Sequence, residues 1–378
     1  MIKEQSRSIS LAGASAFFWT NQRLMFDLIP SFITAFIITF FAIPSIIKVA
    51  IEKNLCDEPG ERRSHSRSIP TLGGLGIFAG LIFSITFWIP FDSAAYPAHR
   101  YVQYVLCAYI IIFLIGAKDD IIPLSPVKKF LGQIVAACIL VFKAGIYLSS
   151  LYGIFGINDI PYALAAPLSV FSMLVIINAL NLIDGINGLA ATIGIICCGA
   201  LGLWFYQFGR LDLAILAFAM LGSLAAFLYY NASPAEIFMG DTGSLLLGLT
   251  LSVLAISFIE SNKLPHEHCY IESVPAVAIA ILIIPLFDTL RVFSLRAMRG
   301  KSPFQPDRTH IHHILIDLGC SHMQATAILA LVNLLFIGIA FQLQFLGSLE
   351  LLLVLLLIAV LLTSFSFYLI NRKQKKQL

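Results

Sequence analysis

LVIINALNLIDGINGLAATIGIICCGALGLW, residues 174–204, sets two apolar runs around a short passage carrying Asn178, Asn181, Asp184 and Asn187. Each run belongs to a stretch of about 20 mostly apolar residues, the length at which a helix crosses the hydrocarbon of a bilayer. The polar residues recur at every third position, which gathers them on one side of a helical turn. Burying polar groups without partners is costly. These four therefore serve one another, a polar cavity or a ligand, and a ligand is the reading favoured for polar residues at membrane depth.

The same alternation of long apolar runs and short polar breaks extends along the chain. Its 378 residues are 59% hydrophobic and 12% charged, with a mean hydropathy of +0.90, far from the balance of a soluble domain. About eleven spanning stretches lie near 29–50, 71–90, 101–118, 129–146, 161–179, 187–206, 211–229, 243–259, 274–293, 323–344 and 348–370. A membrane β-barrel is excluded, because apolar and polar residues do not alternate. The expected fold is all-α: a polytopic integral membrane protein of about eleven transmembrane helices, forming one domain over residues 29–370. Residues 1–28, with the short apolar run LAGASAFFW at 11–19, read as an N-terminal extracytoplasmic or interfacial segment, and 371–378 as a basic cytoplasmic tail.

Placement of charge orients the chain. Numbering the loops alternately, one side collects Lys53, Arg62, Arg63, Arg67, Lys118, Lys128, Lys129, Arg296, Arg299, Lys301, Arg308 and the tail NRKQKKQL. The other side holds Lys3, Arg7, Arg23, Arg100, Arg210 and Lys263. An excess of Lys and Arg marks the cytoplasmic side, so the N-terminus is expected outside and the C-terminus inside. The net charge of +3 gives no reason to expect a nucleic-acid partner. The seven cysteines are odd in number and lack CxxC spacing, which implies neither disulfides nor a structural zinc site.

Most of the chemistry-bearing residues fall on the inward side. Asp119 and Asp120 close the stretch IIIFLIGAKDDII at 110–122; neighbours on a helix point about 100° apart, so the pair is expected to have separate roles. A glycine pair at 73–74 opens the second span, where close backbone approach to a ligand is one reading. FMGDTGS, residues 238–244, is a Gly-rich turn entering a helix, either a simple cap or a cradle for phosphate. In PLFDTLR, Asp288 is expected to pair with Arg291 three residues on. Arg308 with His310, His312 and His313 suits an anion better than zinc. HEHC at 266–269 reads as an ordinary polar loop. Carboxylates together with Arg, Lys and His point to a hard divalent cation and a phosphorylated substrate.

GAKDD, NALNLIDGINGLA, FMGDTGS and PDRTHIHHIL together resemble the polyprenyl-phosphate N-acetylhexosamine-1-phosphate transferase superfamily, the glycosyltransferase 4 family. PDRTHIHH resembles the branch that uses N-acetylglucosamine rather than the branch handling the muramyl-pentapeptide precursor. The resemblance implies transfer of an N-acetylhexosamine 1-phosphate from a UDP-sugar to undecaprenyl phosphate, releasing UMP, with Mg²⁺ or Mn²⁺ as cofactor. It implies an enzyme of the bacterial cytoplasmic membrane with its active site on the cytoplasmic face, starting a lipid-linked envelope glycan such as O-antigen; a homodimer is compatible with it. Carried over by motif, Asp119 and Asp120 match the catalytic pair, and Asp241, with Asp120, the metal site. Asn181, Asp184, Asn187, Phe238, Lys129, Gln133, Arg308, His310, His312 and His313 match substrate-binding positions. Asn187 stands where many relatives carry a second Asp. Two routes stay open, a single displacement by the lipid phosphate or two steps through an aspartyl intermediate. A secondary transporter is the rival from another class, disfavoured because such proteins place their carboxylates near the bilayer midplane.

Overall fold

The computed structural model describes residues 28–57, 69–89, 101–264, 269–300 and 310–375. The helices, in chain order, are α1 (Leu28–Glu52), α2 (Gly73–Trp88), α3 (Val102–Ile121), α4 (Pro126–Phe142), α5 (Tyr162–Ile183), α6 (Leu189–Phe208), α7 (Leu211–Asn231) and α8 (Gly240–Ser261). They continue as α9 (Val274–Ile281), α10 (Ile283–Met298), α11 (Ile311–Asp317), α12 (His322–Gln342) and α13 (Ser348–Lys375). Extended pairing among the described residues is confined to a two-residue antiparallel ladder, Cys56–Asp57 with Ile69–Pro70, and one isolated bridge from Ser150 to Asp159.

Local chemistry explains several helix ends. Pro126 opens α4, where its missing N–H costs nothing. Gly209, with φ of +80°, closes α6 in the left-handed conformation that glycine adopts freely. Ser321 and Gln324 cap α12 reciprocally.

Every one of the apolar stretches is helical, so the chain is an all-α polytopic membrane protein. The count of spans is less simple than the sequence suggests. Among the described residues seven helices are long and apolar enough to cross, and an eighth crossing exists if α9 and α10, bent by 84°, form one span. α2, with 16 residues, and α4, with 17, are shorter. The bend at Leu282 frees the carbonyl of Ile281, which accepts the Cys197 thiol at 3.1 Å and the Asn333 amide at 3.2 Å. Partners of this kind let a broken helix persist at membrane depth.

α8 is enclosed along nearly its whole length and packs against α2, α3, α5, α6, α7 and α9, while α1 and α13 bury few of their residues. Polar side chains collect at the two ends of this bundle. One collection lies at the C-terminal ends of α3 and α5 and the N-terminal ends of α4 and α8. The other, at the opposite ends, joins Arg210, Asp212, Tyr101 and Ser261 in one hydrogen-bonded group.

Candidate active site

The site is assembled around the first turn of α8. Asp120, at the end of α3, accepts three hydrogen bonds there: from the Asp241 N–H at 2.6 Å, the Thr242 N–H at 2.9 Å and the Thr242 hydroxyl at 2.5 Å. A carboxylate at a helix N-terminus satisfies orphan donors and the positive end of the dipole together. The turn that could have cradled a phosphate is thus already filled by Asp120. The geometry gives Asp120, expected as catalyst and metal ligand, a place in capping α8, with Oδ1 accepting one of the three bonds and Oδ2 two.

Asp119 points elsewhere, as its helical offset requires. It accepts from the Leu124 N–H at 2.5 Å and pairs with Lys129 of α4 at 3.3 Å. Lys129 also contacts Asp241 at 2.5 Å, and the carboxyl groups of Asp119 and Asp241 lie within hydrogen-bonding contact of each other. The second oxygen of Asp241 accepts from Asn181 at 2.5 Å, and Asn181 also donates to Ser244 at 2.8 Å. Asp184, just past α5, is half-buried; burial and then the negative fields of Asp241 and Asp120 push its carboxyl up to about 7.

Close helix packing makes this meeting geometrically feasible. A side chain at Gly74 would stand 2.2 Å from the Gly243 nitrogen, and one at Gly116 would stand 2.4 Å from the Thr242 Cα. The Gly73–Gly74 pair therefore admits backbone rather than ligand, with Gly73 and Gly74 donating to the carbonyls of Phe238 and Met239. Gly240 carries a φ of +70° and faces Asp120, so only glycine fits that corner.

The asparagines divide between support and site. Gln133, expected to touch substrate, is buried and exchanges amide hydrogen bonds with Asn178 at 2.7 and 3.4 Å. That pair is a scaffold between α4 and α5. Asn187 is half-buried, and its carbonyl accepts from Thr326. Phe238 is half-buried in an extended segment whose N–H donates to Pro70 and whose carbonyl accepts from Gly73. Asn231 was not singled out from the sequence, yet it ties two loops of the site together, accepting from the Gly188 N–H and donating to the Ile237 carbonyl.

The histidine segment reaches the same end of the molecule. Asp288 pairs with Arg291 at 2.8 Å, as the three-residue spacing anticipates, and also holds His310 Nδ1 at 2.8 Å and the Ile311 N–H at 3.0 Å. A carboxylate accepts, so Nδ1 of His310 carries the hydrogen. His312 is buried beside His313 and stacks on His310. Burial and the neighbouring His313 push its imidazole down to about 3, so at neutral pH it can meet an anion as a neutral hydrogen-bonding ring and not as a cation. Its Nε2 stands 2.4 Å from where a Cβ of Gly185 would be, which docks the histidine segment on the loop carrying Asp184 and Asn187. Arg308 lies outside the described residues, as do Arg62, Arg63, Arg67, Lys301 and most of HEHC.

Among the described residues no three metal-ligating side chains form a ready-made cage. The donor set nonetheless fits a hard divalent cation. Asp119 and Asp241 meet at Lys129 with Asp184 close by, and Mg²⁺ usually takes only one or two carboxylates, completing its shell with water and substrate phosphates.

Charged groups gathered at helix ends inside a polytopic helical bundle define a membrane protein with a polar site at the ends of its helices. Comparison gives the family: the profile of Glycosyl transferase family 4 matches residues 102–259, which include Asp119, Asp120, Asp184 and Asp241. The chain is 33% identical over 291 residues, 75% of each chain, to a Yersinia pestis protein named undecaprenyl-phosphate alpha-N-acetylglucosaminyl 1-phosphate transferase. It is 32% identical over 315 residues, 83% of each, to the probable undecaprenyl-phosphate N-acetylglucosaminyl 1-phosphate transferase of Bacillus subtilis. An Escherichia coli K12 protein with the same name as the Yersinia one is 31% identical over 323 residues, 83% of this chain and 82% of that one. The chain belongs to glycosyl transferase family 4.

Proposed function

We propose that the chain transfers N-acetylglucosamine 1-phosphate from its UDP-sugar to undecaprenyl phosphate, giving undecaprenyl-diphospho-N-acetylglucosamine and UMP. The observation carrying this reading is the cluster of Asp119, Asp184, Asp241 and Lys129 at the ends of membrane helices, in a chain whose relatives bear that name. A lipid phosphate resides at the membrane boundary and a nucleotide sugar arrives from water, so a site for both belongs at helix ends. The distribution of Lys and Arg supports placing that end on the cytoplasmic face of the bacterial cytoplasmic membrane. The product would be the first carrier-linked sugar of an envelope glycan.

A single displacement accounts for the chemistry. An oxygen of undecaprenyl phosphate attacks the β-phosphorus of the donor, the bond to the bridging oxygen breaks, and UMP leaves with that oxygen. A phosphate monoester has a second pKa near 6, so the nucleophile is largely ionised already and needs little help from a base. The main barrier is bringing two polyanions together. Lys129 is assigned to the donor's phosphates and Asp119 to orienting the acceptor phosphate. Asn181 fixes the rotamer of Asp241, while Asp120 fixes the helix that carries it. Asp241, with Asp119 or Asp184, would hold Mg²⁺ or Mn²⁺, which when bound supplies positive charge to the phosphates and draws electrons from phosphorus.

The test is purified chain with Mg²⁺, undecaprenyl phosphate and a series of sugar-labelled UDP-N-acetylhexosamines. Organic-extractable label from UDP-N-acetylglucosamine, abolished by EDTA, is expected. Absence of labelled lipid with every donor would overturn the assignment. UMP release before any lipid is added would replace the single displacement by the two-step route.

A further inference from the structure

α13 continues past its apolar span: the span is Ser348–Leu369, and the helix runs to Lys375. Its last turns lie on the histidine segment. The Lys373 ammonium donates to the carbonyl of Leu318 at 2.9 Å and to that of Asp317 at 3.4 Å. Those carbonyls form the C-terminal end of α11, where unpaired acceptors and the negative end of the helix dipole attract a cation. Gly319 follows with a φ of +102°, and a side chain there would approach the Lys373 ammonium to 3.4 Å. Six residues earlier on α13, the Phe367 ring lies under the Arg291 guanidinium, 5.7 Å from its centre, within the range of a cation–π contact.

Both contacts lead to the same place. α11 carries His312 and His313, and His312 abuts the Asp184 loop at Gly185. Arg291 is the partner of Asp288, which holds His310 and the first N–H of α11. The end of α13 thus backs α11 at its C-terminus through Lys373 and backs its N-terminal anchor through Arg291.

We infer that the C-terminal end of α13 is a positioning element of the active site, with Lys373 and Phe367 as positioning residues that hold the histidine segment against the loop carrying Asp184. This rests on the reading that the histidine segment serves the transfer reaction. A segment of seven residues has little helical stability of its own, and fixing it before substrate arrives removes an ordering cost from the reaction.

The experiment compares the full chain with Lys373→Met, which keeps the aliphatic stem, Lys373→Arg, which restores a cationic donor, and Phe367→Leu. Lys373 is solvent-exposed, and loss of a hydrogen bond of ordinary net strength corresponds to about a twofold to tenfold effect. The expected result is a fall of that size in kcat/KM for the UDP-sugar in Lys373→Met and Phe367→Leu. Unchanged KM for undecaprenyl phosphate, unchanged melting temperature, faster amide exchange over residues 311–318 and recovery in Lys373→Arg are expected alongside it. Wild-type kinetics and wild-type exchange in Lys373→Met would overturn the inference. So would a loss that Lys373→Arg does not recover. Should the wild-type chain make no lipid product, the transferase assignment fails, and the exchange rates alone decide whether α13 holds α11.

Discussion

Asp119 and Asp120 are adjacent in sequence and differ in everything else. Asp120 stabilises the start of α8 through three donors, whereas Asp119 faces Lys129, which also holds Asp241. Asp120→Asn puts an amide among N–H donors and is expected to cost about 1–3 kcal/mol of stability, lowering the melting temperature in detergent as well as activity. Asp119→Asn is expected to leave the melting temperature near wild type while lowering kcat roughly a hundredfold or more. Equal losses of stability in the two variants would contradict these separate roles. His312 makes a second prediction, in pH. A histidine in the unfolded chain titrates near 6.5, and His312 in the fold is held down to about 3. Between those values the unfolded state binds the proton and the folded state does not. Stability from the neutral imidazole is therefore complete above about pH 6.5 and is lost as pH falls toward 3. Melting curves of His312→Gln are expected to show a shallower decline over that window. Much of this site was legible residue by residue, because carboxylates and asparagines stand out in an apolar chain and a spacing of three gave the Asp288–Arg291 pair. The cap on α8 was not legible, since Asp120 and Thr242 belong to different helices and no spacing within one helix connects them.

At the scale of helices, the site depends on how closely α2 and α3 approach the first turn of α8. Gly116 meets the Thr242 backbone, and backbone cannot yield as a flexible side chain can. Gly116→Ala is expected to separate α3 from α8, withdraw Asp120 from its donors and destabilise the protein by about 1–3 kcal/mol, measured by thermal unfolding in detergent. Gly145→Ala tests the alternative that any lost glycine does this. Nothing lies near a Cβ at Gly145, but its φ is +72°, so only a small local backbone strain is expected there and transfer activity should survive. The glycine pair at 73–74 had suggested a ligand because sequence shows that something must come close without showing what. Gln133 misled similarly: a polar residue on an apolar helix announces a polar partner, and that partner proved to be Asn178. The break between α9 and α10 was hidden because the chain is apolar on both sides of it, from 274 to 287, and the partners of the freed carbonyl, Cys197 and Asn333, come from α6 and α12.

For the molecule as a whole, the fold class followed from hydropathy alone, since a chain this apolar must satisfy its backbone within helices. The two polar ends have different characters. The Arg210–Asp212–Tyr101 group pairs its charges internally, whereas at the other end Asp119 and Asp241 share Lys129, with Asp184 close enough to Asp241 and Asp120 to feel their negative fields. The second end is the one that the proposed reaction uses. The reaction moves a phosphate along with the sugar, and this distinguishes it from ordinary sugar transfer. Supplying the purified full-length chain with UDP-N-acetylglucosamine radiolabelled at the β-phosphorus, together with undecaprenyl phosphate and Mg²⁺, tests that claim directly. The account predicts that the labelled phosphorus enters the lipid phase in equal amount to unlabelled UMP released. Label leaving as UDP, or remaining entirely in water while lipid is present, would contradict it.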